Sequence, residues 1–439
     1  MPTTCRPYSP NQATLLPASP ADWLEQGHLV HFVSDLIDQL DLRPFYAPYE
    51  GDGRRNSPYD PRMMLKVIVY GYLTGTFSSR RIQKRVVEDI GMRYLAGENG
   101  PKYRALAEFR VRHLQAFGSL LAQVIGIAGE LKLIGNKRVA IDGTKVRANA
   151  SKRKAMSYGR MKKAEGELER EVAELLERAA QEDAAEDEEF GADNSGQEVR
   201  EELRRREDRL EKIREAKRRL EQRQRQADKA GGRGQSGDGK AKKLKRAFGV
   251  PNDKTQDNFT DPESRIMLTS NEGFQQGYNA QIAVDDQAQI IVGTAITQAA
   301  SDTAMLVPMI EQVEEQLGAA PQEVLSDAGY KSEANFHGLE QKGVRGFVAL
   351  RRERKGGASY DRAGEGPATQ RMNERMKSDE GRAVYARRKC IVEPVFGWIK
   401  QAIGFRTFSL RGLSNVIGEW NLVCFVTNLK RLHALTANA

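Results

Sequence analysis

The chain is poor in the side chains that usually build metal and redox centres: three cysteines, at positions 5, 390 and 424, and five histidines among 439 residues. No two cysteines form a CxxC pair, and His28, His31, His113, His337 and His433 have no zinc-ligand spacing with them. A disulfide framework and a zinc site are thereby excluded as organising features. Long apolar runs are missing too. The longest, LLAQVIGIAGEL around Leu120 to Leu131, falls well short of the roughly 20 residues that cross a bilayer. The opening MPTTCRPYSPNQATLLPASP has no charged segment leading into an apolar one, so the expectation is a reducing, cytoplasmic setting without a membrane. Hydrophobic residues make up 39% and charged residues 29%, enough for packed cores in a soluble chain of two or three domains.

Negative charge is scarce in two places. The net charge is +9, which points to a polyanionic partner, with nucleic acid the first expectation. Ser78 to Arg112 holds nine bases against four acids, and Arg371 to Arg411 ten against four. Charge alone leaves ribosome-like and membrane-surface partners open. Between Glu380 and Glu419 the only acid is Glu393, set among seven Lys and Arg residues in a segment that includes RRKCIVEPVFGWIKQAIGFR. A solvated helix face mixes its charges, so a lone carboxylate in basic, aromatic surroundings is a candidate for chemistry. The plain alternative is an ion pair with Arg388 or Arg411.

Residues 20–135 read as all-helical. LVHFVSDLIDQL has helical spacing, Pro61 stands at a first-turn position, and SSRRIQKRVVEDIGMRYL opens on Ser78 or Ser79 and stacks Ile82, Val86, Ile90 and Tyr94. Arg80, Arg81, Lys84 and Arg85 on that helix are candidate phosphate contacts. RVAID then reads as a strand ending in Asp142. Residues 151–250 read as an insertion. Met161, Leu168 and Leu175 repeat every seven residues, as do Leu203 with Leu210 and Ile213 with Leu220, predicting an antiparallel coiled-coil hairpin. A GGRGQSGDG linker and the basic patch KAKKLKR follow.

Beyond 250 the strand period returns in GYNAQIAVDD, QIIVGTAIT, EVLSDAGY and RGFVAL, interleaved with helical segments. Residues 136–150 and 251–435 are expected to form one α/β domain, a mixed sheet with flanking helices. This element order resembles the ribonuclease H-like fold. Asp142 and Asp327 each end a strand, where α/β sheets place their ligands. Two aspartates and one glutamate from a crossing helix would supply hard oxygens to Mg²⁺ or Mn²⁺. Among other acids, Asp285 and Asp286 fall at a hairpin turn, Asp302 reads as a helix cap, and Asp261 in TDPESR is a candidate for lining the site.

The wording of these segments resembles the DDE transposases of the IS1182 type across almost the whole chain. YDPRMMLKVIVYGYLTGTFSSRRIQKRVVEDIGMRYLAG and AEFRVRHL are similar to that family's helical DNA-binding domain. AIDGTKVRANAS carries Asp142, TDPESRIM and GYNAQIAVD follow, LSDAGYKSEAN carries Asp327, and VEPVFGWIKQAIGFRTFSLRGLSNVIGEW carries Glu393. The related groups write their last block as Tyr, two residues, Arg, three residues, Glu, six residues, Lys. Here Tyr385, Arg388 and the Glu393 to Lys400 spacing match, but four residues separate Arg388 from Glu393. The resemblance implies two divalent ions held by Asp142, Asp327 and Glu393, cleavage of transposon ends to free a 3′-hydroxyl, and transfer of that end into target DNA. It implies double-stranded DNA as partner, with Arg388, Lys400 and Arg406 among the phosphate contacts, and a homodimer or larger assembly on DNA in the nucleoid. A regulator without catalysis, and a nuclease that cuts structured DNA without joining, are the other functional classes left open.

Overall fold

The structure, a computed structural model, describes residues 19–50, 58–97, 99–189, 197–232, 246–269, 273–351 and 365–436. The first helices are α1 (Leu29–Gln39), α2 (Arg43–Tyr46), α3 (Pro61–Leu73), α4 (Ser79–Glu88), α5 (Ile90–Ala96), α6 (Tyr103–Arg112) and α7 (Ala116–Glu130). Asp60 caps α3 by accepting from the amides of Arg62 and Met63, and Pro61 supplies the preset first turn. The single stripe expected from Ile82 to Tyr94 is broken. Asp89 ends α4 and caps α5 by accepting from Met92 N at 2.9 Å, so Ile82 and Val86 are buried while Ile90 is exposed.

The sheet is built from β1 (Arg138–Arg147), β4 (Arg265–Thr269), β5 (Gly273–Asp285), β6 (Ile291–Thr297), β7 (Glu323–Ser326) and β8 (Arg345–Val348); β2 (Ala155–Ser157) and β3 (Gln256–Asn258) form a separate ribbon. β5 runs antiparallel to β1 and to β6, with β4 against its first residues; β7 is parallel to both β1 and β8. Strand order is therefore β6-β5-β1-β7-β8. The later helices are α10 (Leu306–Leu317), α11 (Glu333–Gln341), α12 (Pro367–Lys377), α13 (Asp379–Gly397) and α14 (Leu413–Thr436). α14 is buried along most of its length and is stitched to the sheet: Asn428 bonds both Ile291 N and Ile291 O, and Trp420 Nε1 donates to Gln281 O.

One apolar core runs from Val30 on α1 through the sheet to Leu432 on α14. Polar bonds cross it as well. Glu419 on α14 is fully buried and accepts from Tyr72 Oη at 3.0 Å, from the amides of Ser409 and Leu410 at 3.0 Å each, and from Ser409 Oγ. Arg110 Nη1 donates in turn to Tyr72 Oη and to Phe77 O.

Between β2 and β3 stand two long helices, α8 (Tyr158–Glu189) and α9 (Gln197–Ala230). They lie antiparallel: Glu165 pairs with Lys217 at 2.7 Å and Glu169 with Arg214 at 2.6 Å. Tyr158, Met161, Leu168, Leu210, Ile213, Ala216 and Leu220 make a core of their own. The buried Asp257 on β3 anchors the base through Arg219, at 2.8 Å, and Arg223. Most of the linker and the basic patch at 240–246 lie outside the described residues.

Candidate active site

Register brings two of the expected acids together. On the parallel pair β1 and β7, Ile141 stands opposite Ser326. The next residues are Asp142 and Asp327, so the two carboxylates leave adjacent strands, spaced about 4.8 Å apart, at the same level. Asp327 follows the last residue of β7 as expected, but Asp142 does not end its strand: β1 runs on to Arg147 because β5 continues to pair with it. Asp142 Oδ1 accepts from Gly143 N at 2.7 Å, and Asp327 Oδ1 accepts from Gly329 N at 2.8 Å, capping the short turn Ala328–Tyr330.

Asp302 departs from its expected place as a helix cap. α10 begins only at Leu306, with Met305 in the cap position, and the Asp302 side chain turns to the sheet. It accepts from Lys145 Nζ at 3.1 Å, Asn279 Nδ2 at 2.6 Å and Gln281 Nε2 at 2.8 Å. A Cβ on Gly143 would lie 2.7 Å from Asp302 Oδ1, and one on Gly329 would lie 3.1 Å from Asp302 Oδ2. The glycines next to and near the two aspartates therefore leave room for the Asp302 carboxylate between β1 and the turn after β7. Gln281 also accepts from Tyr330 Oη. This polar bed was hidden in the sequence because SD ahead of a helix reads as a cap; the alternation Asn279, Gln281 on one strand face was its only local signal.

Helix α13 supplies the basic side. Pro394 interrupts its hydrogen bonding, and the carbonyl this frees, Cys390 O, accepts from Gln289 Nε2 at 2.7 Å. α13 ends at Gly397 and passes into a wider π turn, Trp398–Ala402, so Lys400 is not two regular turns along the face of Glu393 as the spacing predicts. Lys400 Nζ donates to Thr144 Oγ1, two residues along β1 from Asp142 on the same strand face. Burial, then the nearby Arg406, pulls Lys400 below the usual lysine range.

Arg388 lies between two of the acids. Its Nη1 is 3.0 Å from Asp142 Oδ2 and its Nη2 is 3.7 Å from Glu393 Oε1. The ion-pair alternative for Glu393 is thus met with Arg388, loosely, while Arg411 bonds Asn149 instead. Glu393 remains 55% exposed. Among the described residues, no three His, Cys, Asp or Glu side chains converge closely enough to hold an ion. The structure joins Asp142 with Asp327 and sets Arg388 between Asp142 and Glu393.

The electrostatics follow from that crowding. Burial, then the neighbouring Asp327 charge, pushes the Asp142 carboxyl up to about 7, with Arg388 pulling the other way. The folded chain therefore keeps a proton on Asp142 that the unfolded chain loses near 3.8, and this contribution to stability disappears as pH rises through about 7. In EDTA, the parent chain is expected to lose as much as about 4 kcal/mol between pH 4 and pH 8 relative to Asp142→Asn. Denaturant melts of the two proteins across that range would read it, and parallel curves would refute the assignment.

Other expected contacts are spread out. Arg80, Arg81 and Lys84 are exposed on α4, Arg80 over the Tyr103 ring and Lys84 3.7 Å from Glu88. Arg85 is half-buried and spent on structure, donating to Thr76 at 3.0 Å and to Thr74 and Asp89 at 2.5 Å each. Arg406 is exposed and bonds Gln401, while its carbonyl accepts from Arg147 N at the end of β1. Asp261 is fully buried, held by Tyr278 Oη at 2.9 Å and by Gly412 N, a structural anchor rather than a lining residue.

Comparison with known families gives two matches. Residues 250–429 match the family described as "Transposase DDE domain", and residues 19–112 match "Transposase domain (DUF772)". Asp327 and Glu393 fall inside the first match; Asp142 lies between the two. No curated protein and no solved structure matches the chain. Among the described residues, no helix is long and apolar enough to cross a membrane.

Proposed function

The chain belongs to the DDE transposases of the IS1182 type and is a DNA transposase, and we propose that Asp142, Asp327 and Glu393 are the carboxylates of its phosphoryl-transfer site. The observation that carries this is the β1–β7 register, which puts Asp142, midway along β1, beside Asp327, just past the end of β7, where the parallel pairing stops. The strand order β6-β5-β1-β7-β8, with β5 antiparallel to its neighbours, supports a ribonuclease H-like catalytic domain over 136–150 and 251–435. Residues 20–135 would then be the helical DNA-binding domain and 151–250 the inserted hairpin.

The donor set suits a divalent cation. It offers only hard carboxylate oxygens, and burial, then the neighbouring Asp327 charge, lets Asp142 hold a proton near neutrality that a cation would replace. Mg²⁺ or Mn²⁺, two ions in our reading, would act as Lewis acids on the phosphodiester and its nucleophile. The chain's own side chains do the positioning. Asp302, tied to Lys145 on β1 and to Asn279 and Gln281 on β5, would steady the strands beside Asp142 and Asp327. Lys400, oriented by Thr144, and Arg406 would neutralise the phosphate beside the scissile bond, and Arg80, Arg81 and Lys84 would hold the flanking backbone. No covalent protein–DNA link is needed. The work on DNA would be done in the cytoplasm by a dimer or larger assembly on paired ends.

A strand-transfer assay tests this. With a pre-cleaved end, a target plasmid and Mg²⁺, the parent chain is expected to join the two, and Asp327→Asn to bind the end without joining. Cutting without joining would favour a nuclease, and neither reaction a regulator; an active Asp327→Asn would remove the second aspartate from the site.

A further inference from the structure

Arg388 is unusual for a DNA contact in being already committed inside the protein. Its side chain is 9% exposed, it bonds Asp142 Oδ2 at 3.0 Å, and it approaches Glu393 Oε1 at 3.7 Å. A divalent ion bridging those carboxylates would need oxygens at about 2.0–2.2 Å, so the guanidinium and the ion exclude one another between Asp142 and Glu393. The guanidinium is also imperfectly seated. Its Nε is buried without a hydrogen-bond partner, although Tyr385 packs near its face at 5.9 Å. A permanent structural pair would use the whole fork; this one leaves a donor unmet. The helix explains the loose end. Five residues along α13 turn the chain by about 500°, leaving Glu393 about 140° around from Arg388, against about 40° for a four-residue step. The extra residue before Glu393 thus lets one arm of the fork reach Asp142 while the other only nears Glu393.

We propose that Arg388 is a resident counter-cation of the acid site: it occupies the place between Asp142 and Glu393 until a divalent ion displaces it, and the released guanidinium then meets a DNA phosphate. The proposal rests on the reading of these acids as metal ligands. Its consequence is that the resting protein needs no ion to keep Asp142, Asp327 and Glu393 assembled. Arg388 is accordingly a positioning residue whose loss must show in the protein alone, before any DNA is added.

The test uses the full chain at pH 8, with thermal melts in EDTA and in Mn²⁺ and direct Mn²⁺ binding by calorimetry, for the parent, Arg388→Gln and Asp142→Asn. Arg388→Gln is expected to melt lower than the parent in EDTA, to be restored by Mn²⁺ by more than Mn²⁺ adds to the parent, and to bind Mn²⁺ about ten-fold tighter. If Arg388→Gln does not fold, Arg388→Lys is read the same way, with a smaller gain in affinity. Equal or weaker Mn²⁺ binding by the variant, or lost stability that Mn²⁺ does not return while the parent binds the ion, would overturn the proposal and leave a static ion pair. If neither the parent nor the Arg388 variant binds Mn²⁺ better than Asp142→Asn, the metal reading fails first and this inference with it.

Discussion

Glu393→Gln is expected to bind end DNA as the parent does, yet to nick and join it at least about a hundred-fold more slowly. The substitution keeps the size of the side chain and removes its charge. Glu393 is half-exposed and its carboxylate is only loosely paired, 3.7 Å from Arg388 Nη2, so the fold has little to lose. The separation of binding from chemistry is what identifies a site carboxylate. Gel shifts on an end duplex would read binding, and denaturing gels of nicked and joined products would read chemistry. Activity within a few-fold of the parent would return Glu393 to the role of an exposed ion-pair partner. Weakened binding with unchanged chemistry per bound complex would make it a DNA contact instead.

The second large effect concerns stability. Glu419→Ala is expected to cost about 3–5 kcal/mol, because it strips the charge that balances a buried cation. Glu419 takes four hydrogen bonds at full burial, and the chain Glu419–Tyr72–Arg110 links α14 with α3 and α6. Its removal leaves Arg110 facing a neutral phenol, and a phenol already pushed well above its ordinary range by burial cannot supply the missing charge. Glu419→Gln, which keeps most of the geometry, should lose less than the alanine variant. Urea melts with unchanged slopes would measure both; a loss under about 1 kcal/mol for Glu419→Ala would show the network to be incidental.

Much of the candidate site was legible because it is written locally. Asp142 in DGT and Asp327 in DAG stop apolar runs, and Glu393 stands out against seven bases. What could not be read was anything settled by a distant partner. Register between β1 and β7 makes neighbours of Asp142 and Asp327, and no feature of either segment encodes it. Asp302 and Glu419 were passed over for the same reason. One has the local signature of a cap, the other marks the far end of a basic stretch, and each has a distant partner, Gln281 at 21 residues from Asp302 and Tyr72 at 347 from Glu419. Asp89 broke an expected stripe because a single side chain can end one helix and start the next, which apolar periodicity does not register. The wide turn at Lys400 follows Pro394, and its exact pitch depends on the packing of Ile399 and Ile403, both buried.

The placement of α8 and α9 has a consequence for how the chain assembles. The ladder joining β1 to β5 pairs Arg147 with Gly277, so the centre of the sheet closes across more than a hundred residues. Loop-closure entropy rises only slowly with length, by about 0.6 kcal/mol per doubling, but the search for such a distant partner is slow. A helix pair with its own apolar seam can form early and bring its two ends together at the β2–β3 ribbon. That shortens the contour left to be closed to the eight residues from Arg147 to Ala155 and the nineteen from Asn258 to Gly277. The inserted helices would then act as an internal splint during folding, bringing the first aspartate's strand to the rest of the sheet.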